Sequence, residues 1–142
     1  MEYISIVALT FMLIVPTAYL FYNYSKDSSE EIVDSQISRI GRNIVDTSAA
    51  IFYAGRGSKS VLVFIVPDKI RSAQIIDGRE LVFNISTNFG MSEIVFISSV
   101  NLTTRSLDCI VNVCNITSLA SSGTKKVKLE ANLTNSVSIN VV

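Results

Sequence analysis

The stretch MEYISIVALTFMLIVPTAYLFYNYS, residues 1–25, decides how this chain is organised. Between Glu2 and Lys26 there is no charged residue, and most positions in 4–22 are apolar. A helix rises about 1.5 Å per residue, so a helix over this stretch could cross a hydrocarbon layer of about 30 Å. Pro16 lies inside the stretch and predicts a local kink, which helices in lipid tolerate. We therefore predict a hydrophobic helix that needs lipid or copies of itself around it.

A cleaved signal peptide is another segment type with an apolar run near the N-terminus. Signal peptides carry basic residues before a shorter apolar core, and small residues at the cleavage site. In this chain the charge ahead of the run is the acidic Glu2, and residues 22–25 read Tyr-Asn-Tyr-Ser. We therefore expect the segment to stay on the protein.

The following segment, 26–56, has the pattern of an amphipathic helix. Its apolar residues recur at the three- and four-residue spacing of one helical face, with one gap at Thr47-Ser48. They are Val33, Ile37, Ile40, Ile44 and Ile51. Gly55 and Gly57 suit the end of a helix, since glycine readily adopts a left-handed conformation. The sequence thus predicts one helix of about fifty residues, apolar all round at first and amphipathic later.

From residue 57 onward the pattern is that of β-strands. The predicted strands are 60–66, 72–76, 80–85, 93–98, 107–113, 125–133 and 137–142. The continuous apolar run 60–66 predicts a central strand buried on both faces. Asp77-Gly78 predicts a two-residue hairpin turn, and 119–124 a flexible turn.

Together these elements predict an α+β fold, in which the second half of the helix packs on one antiparallel sheet of about five to seven strands. The strand at 125–133 has one wet face, because Lys126, Lys128 and Glu130 alternate with apolar residues. The predicted regions are a hydrophobic helix (1–25), its amphipathic continuation (26–56) and a β-rich globular domain (57–142).

Composition excludes several classes of function. The 142 residues carry 12 basic and 12 acidic side chains, so the net charge gives no attraction to nucleic acid and we predict no binding to it. Histidine, the commonest general base and metal ligand, is absent. The sequence also lacks a Gly-x-Ser-x-Gly motif and a paired-carboxylate site. We predict no catalytic residues, no metal, no cofactor and no enzymatic activity.

The two cysteines, Cys109 and Cys114, are five residues apart. Two cysteines supply only two of the four ligands of a tetrahedral zinc site, so one chain without histidine would also need carboxylate ligands. In a β-rich exported domain this spacing favours a disulfide that closes a hairpin. Two reduced, packed cysteines are the alternative.

The sequence also indicates which side of a membrane the β domain occupies. Five of the ten asparagines begin an Asn-x-Ser/Thr sequon, which favours an exported surface with covalently attached glycans. The glycosylation candidates are Asn84, Asn101, Asn115, Asn132 and, closest to the apolar run, Asn23. Four acidic residues in 27–34 outnumber Lys26, whereas cytoplasmic flanks are usually basic. We therefore expect the β domain to lie outside the cell.

The Glu2-Tyr3 pair, followed by about twenty apolar residues, an amphipathic helix and a β domain, resembles the archaeal type IV pilin family. The resemblance covers about the first fifty residues. In that family a peptidase cuts the precursor just before a Gln-x-Ser-x-Glu-Tyr type segment, and the hydrophobic helices bundle in the filament core. The resemblance implies that the following residues make assembly contacts: Glu2, Tyr3, Ile4, Ile6, Phe11, Leu13, Ile14, Pro16 and Leu20. Either Met1 is internal to a longer precursor, or the chain is not processed as a pilin.

The resemblance implies a structural subunit of an extracellular type IV pilus-like filament for adhesion or surface contact. Its partners would be copies of itself, with the chain inserted in the membrane before assembly. The alternative is a single-pass membrane protein whose extracellular β domain binds a partner. The Glu-Tyr pair and the unbroken helix favour the filament, because a plain anchor needs neither.

Overall fold

The structure is a computed structural model that describes residues 2–88, 90–104, 109–132 and 134–142, with side chains for all of these except 2 and 26–30. The chain divides into two compact units, Met1–Asp34 and Ser35–Val142. A single helix, α1, spans Glu2–Ala54, and strands follow it. The predicted α+β class and the predicted helix of about fifty residues are therefore confirmed.

Within the second unit, α1 buries the apolar face that the sequence predicts. Ile37, Ile40, Ile44 and Ile51 are all buried there. Ser48, which falls in the gap of the stripe, is also fully buried, and its hydroxyl donates to the carbonyl of Ile44 at 2.7 Å. A small side chain that satisfies its own hydroxyl can therefore stand where a larger apolar residue was expected.

The end of α1 also agrees with the prediction. The helix ends at Ala54, and Gly55 follows with a φ of +106°. The amide of Gly55 donates to the carbonyl of Phe52 at 3.2 Å, which satisfies one of the last carbonyls of the helix.

Nine strands lie in the described part of the second unit. They are β1 (Lys59–Val66), β2 (Ile70–Ile76), β3 (Glu80–Thr87), β4 (Gly90–Ile97), β5 (Asn101–Thr103), β6 (Cys109–Ile110), β7 (Val113–Asn115), β8 (Gly123–Ala131) and β9 (Ser136–Val141). They form a four-stranded sheet in the order β1-β8-β9-β5 and a five-stranded sheet in the order β4-β3-β2-β7-β6. The pair β5–β9 is parallel and the other pairs are antiparallel.

Two predictions about the sheet are wrong. The strands make two sheets rather than one, because β1 pairs with the distant β8 and not with its neighbour β2. The run 60–66 is not a central strand buried on both faces: β1 is an edge strand, and Val61, Val63 and Ile65 are exposed. A run that is apolar at every position does not reveal which of its two faces is covered.

Several local predictions are also corrected. The strand expected at 107–113 is a hairpin of β6 and β7 in its described part, and residues 107–108 lie outside the described residues. The flexible turn expected at 119–124 begins inside a 3-10 helix, Thr117–Ala120, whose Leu119 is buried, and ends inside β8. The Asp77-Gly78 turn has three residues, since Ile76 pairs with Glu80. The short parallel strand β5 was not predicted, and residue 133 lies outside the described residues.

Most of the core lies on one face of each sheet. In the four-stranded sheet the buried residues are Val66, Val127, Leu129, Ala131, Val137, Ile139 and Leu102, so β8 has the predicted wet and dry faces. In the five-stranded sheet they include Leu81, Phe83, Ile85, Ala73 and Ile75. The ring of Phe83 meets that of Phe96 edge-on, with centroids 6.0 Å apart. Gly41 of α1 lies against the ring of Phe96, so the second half of α1 packs on the five-stranded sheet.

Candidate assembly surface

The most exposed apolar surface of the molecule is the first part of α1. Residues Tyr3–Ser25 form 23 consecutive helical positions, the most apolar 18 of which have a mean hydropathy of 2.2, and none of these 18 is buried. By length and composition this segment could cross a membrane. Soluble proteins rarely expose a continuous apolar surface of this extent, so the segment needs a cover.

Most of the residues expected to make assembly contacts lie exposed on this segment. They are Tyr3, Ile4, Ile6, Phe11, Leu13, Ile14, Pro16 and Leu20. At about 100° per residue they are spread around the whole helix rather than along one stripe. A cover for them must therefore surround the helix. The side chain of Glu2 lies outside the described residues.

The polar side chains of this segment suit a dry environment. The hydroxyl of Thr10 donates to the carbonyls of Ile6 and Val7 at 3.0 and 2.8 Å. The hydroxyl of Thr17 donates to the carbonyls of Leu13 and Ile14, both at 2.9 Å. Both threonines satisfy their donors within the helix, as is needed where no water is available.

Pro16 lies between these two threonines without ending the helix. Proline has no amide hydrogen, so the carbonyl four residues earlier, that of Met12, loses its helical donor. Helices in lipid or in a helix bundle accommodate such a site through neighbouring helices and local adjustment.

The predicted cysteine pair is joined in the structure. Cys109 and Cys114 stand opposite each other in the β6–β7 hairpin and form a disulfide, so the reduced alternative is not the form present. Val111 lies in the turn with a φ of +56°, a conformation that β-branched residues rarely adopt. The adjacent Asn112 carbonyl accepts from the amide of Asp77 at 2.9 Å, which ties the hairpin to the β2–β3 turn.

The five sequon asparagines differ in exposure, which the sequence could not reveal. Asn101 and Asn23 are exposed, whereas Asn115 and Asn132 are half-buried. Asn84 is half-buried within β3, and its amide donates to the hydroxyl of Ser72 at 2.9 Å. A glycan on that nitrogen would have to fit beside the hydrogen bond to Ser72 on the neighbouring strand β2.

A charged cluster lies on the exposed face of the four-stranded sheet. Glu130 of β8 contacts the Nζ atoms of Lys59 at 2.9 Å and Lys128 at 3.2 Å. The hydrogen bond from Lys59, followed by that from Lys128, lowers the pKa of the Glu130 carboxyl below its ordinary value. Beside this cluster lie Val61, Val63 and Ile65, whose exposure was not predicted. Val61 and Val63 stand opposite lysines of β8, a signal that becomes visible only once the pairing of β1 with β8 is known.

Among the described residues there is no candidate metal site. No three His, Cys, Asp or Glu side chains among them are grouped so that they could hold a metal. One groove of about 450 Å³ lies between α1 and β4, lined by Ser38, Arg42, Val45, Asp46 and residues 94–97, with one cation and one anion. Comparison of the chain with known protein families, with characterised proteins and with solved structures finds no match.

Proposed function

We propose that this chain is a structural subunit of an extracellular filament of the type IV pilus kind, which assembles through residues 3–25. The observation that carries the proposal is the exposed apolar helix segment Tyr3–Ser25, none of whose most apolar part is buried within the chain. The segment is covered by lipid before assembly and by the same segment of other copies afterwards. The expected role is adhesion or contact with surfaces, with the β domain outside the cell.

The distribution of the apolar residues supports a bundle as the cover. Large apolar side chains stand on all sides of the segment, so a single partner helix would leave part of the surface exposed. Lipid tails are as apolar as leucine, so the transfer from membrane to filament is driven by close packing and not by the hydrophobic effect. Self-satisfied threonines such as Thr10 and Thr17 allow that packing without unpaired donors.

The continuity of α1 supports a filament over a simple anchor. The helix runs from Glu2 to Ala54 without the flexible linker that an anchored binding domain commonly has. On the resemblance to type IV pilins, Glu2 would help to register each subunit against its neighbours. A carboxylate near a helix N-terminus is favoured by about 0.5 kcal/mol, and a cation from a neighbouring copy would add to this.

The test is filament formation by the full chain. Protein purified in detergent is examined by electron microscopy after the detergent is removed, alone and with lipid vesicles. We expect helical filaments from the unmodified chain and none from Phe11→Asp. Val111→Asp is the matched control, since it places the same charge at an exposed apolar position outside the helix. Vesicle-bound single copies without any filaments would overturn the proposal and leave the membrane-anchored binding domain.

A further inference from the structure

Two edge strands of the β domain each carry an exposed apolar stripe. The β1 stripe is Val61, Val63 and Ile65, which are 58%, 58% and 76% exposed. The β4 stripe is Met91, Val95 and Ile97, which are 66%, 48% and 76% exposed. Each strand has eight residues and ends one of the two sheets. Alternate residues of a strand point to the same face, so the residues of each stripe lie on one face of their sheet.

The β1 stripe lies in basic surroundings. Val61 stands opposite Lys128 and Val63 opposite Lys126, and directly opposed antiparallel residues share a face. Lys59 and Glu130 extend the same face. Three lysines less one glutamate leave an excess of two positive charges. The next neighbours on β9, Asn140 and Ser138, are uncharged.

The β4 stripe lies in acidic surroundings. Glu93 lies within the stripe, and Glu80 of β3 stands directly opposite Ile97. The other β3 residues on this face are Val82, Asn84 and Ser86, which are uncharged. Arg42 and Asp46 of α1 line the groove beside β4 and balance each other. On this face, β4 and the adjacent β3 therefore carry two negative charges, Glu93 and Glu80.

We infer that the β1 stripe of one copy packs against the β4 stripe of a second copy of this chain. The apolar residues match three against three, and the charges nearest the two stripes are opposite in sign. Two β1 stripes would repel each other, and so would two β4 stripes, so a symmetric dimer through either face is disfavoured. A contact between two different faces continues from copy to copy, and it gives an open chain of subunits where its rotation does not close into a ring.

This inference deepens the proposed filament and rests on it for the arrangement of the copies. It adds a contact between outer domains to the contact between helices. It also explains how the two edges avoid indiscriminate pairing. Charged side chains are a common protection of exposed edge strands, and here the charges select one edge as the partner of the other.

The experiment is thiol cross-linking of the full chain after detergent removal, with the same samples imaged for filaments. Val63→Cys/Val95→Cys is treated with a short bismaleimide, which leaves the Cys109–Cys114 disulfide intact. We expect a ladder of cross-linked dimers, trimers and larger species on a denaturing gel. Val63→Cys/Val111→Cys is the matched control, and we expect no ladder because Val111 lies in the hairpin turn outside both stripes.

Charge reversal then tests the pairing of the two faces. In the Val63→Cys/Val95→Cys background, we expect Lys126→Glu or Glu93→Lys alone to lower the cross-linked fraction about tenfold, since like charges would face each other. The two reversals together should restore most of it.

The outcomes separate this inference from the proposed function. Filaments without a ladder would overturn the stripe contact alone. Dimers formed equally well by Val63→Cys on its own would also overturn it, because they would show like faces meeting. A ladder without filaments would keep the contact and overturn the filament. If neither filaments nor a ladder formed, both the stripe contact and the filament would be overturned.

Discussion

Gly41 of α1 lies directly against the aromatic ring of Phe96 on β4, with no space for a β-carbon between them. The helix can approach the sheet at this point because glycine has no side chain. Ile40 and Ile44, on the same face of the helix, are buried on either side of the contact. The Gly41–Phe96 contact therefore sets how closely the helix packs on the five-stranded sheet.

We expect Gly41→Ala to destabilise the second unit by about 1–3 kcal/mol, the usual cost of overpacking a core. At an open helical site the same change would stabilise by about 1 kcal/mol, because alanine is the better helix former. Thermal unfolding followed by circular dichroism measures the difference. Gly41→Ala combined with Phe96→Leu should recover part of the loss. An unchanged midpoint for Gly41→Ala would contradict the contact.

Ser98 is a buried polar residue that holds the chain between β4 and β5. Its hydroxyl donates to the carbonyl of Val100 at 2.8 Å and accepts from the amide of Val100 at 3.2 Å. Ser98→Ala would leave that amide buried without its side-chain acceptor, so we expect a loss of about 1–3 kcal/mol in the free energy of unfolding. The exposed neighbour Ser99 provides the control, and Ser99→Ala should change stability by less than about 0.5 kcal/mol. Equal effects of the two substitutions in chemical denaturation would argue against this role.

The helix and most strands were predictable because their signals are local. The three- and four-residue spacing of Ile37, Ile40 and Ile44 specifies a helical face, and Gly55 specifies where the helix ends. Likewise, the alternation of lysine and apolar residues in 125–131 specifies one wet and one dry face, as found in β8. Within such segments, the spacing of the apolar side chains alone identifies the secondary structure and the buried face.

The division into two sheets was not predictable because strand pairing is decided between distant segments. β1 pairs with β8, which lies about sixty residues later, and nothing within 60–66 specifies that partner. The three-residue parallel strand β5 is too short to produce a period of its own. The residues of α1 proposed to make assembly contacts were predictable as an apolar set, whereas the exposed β1 stripe was not. Its outward and inward residues, Val63 and Leu62 for example, are chemically alike.

The disulfide should stabilise the β6–β7 hairpin at the edge of the five-stranded sheet. The loop it closes is short, so we expect Cys109→Ser/Cys114→Ser to lose about 2 kcal/mol under non-reducing conditions. In the presence of a reductant, the unmodified chain should unfold at the same midpoint as the variant. If the variant remained less stable than the reduced unmodified chain, packing of the sulfur atoms rather than the covalent bond would be responsible.

Exposure should decide which sequons carry glycans. Asn101 is exposed on β5, whereas Asn84 is half-buried and hydrogen-bonded to Ser72. For protein recovered from its native cells, we expect Asn101→Gln to remove the mass of one glycan and Asn84→Gln to remove none. Intact-mass spectrometry measures both changes. Glycan loss from Asn84→Gln would mean that modification precedes the folding of β3, and an unglycosylated native protein would remove the sequon argument for an exported domain.

The pH dependence of stability should report the contacts of Glu130. Because Lys59, and then Lys128, lower the pKa of this carboxyl in the folded chain, the charged form is favoured by folding. The stabilisation is therefore complete above the ordinary glutamate pKa of about 4.3, and is lost as the pH falls through the lower folded value. We expect Glu130→Gln to be less stable than the unmodified chain at pH 7 and equally stable near pH 2. Because the cluster is exposed to solvent, the difference at pH 7 should shrink in high salt. A difference for Glu130→Gln that persisted at pH 2 would mean that the side chain acts through packing and not through its charge.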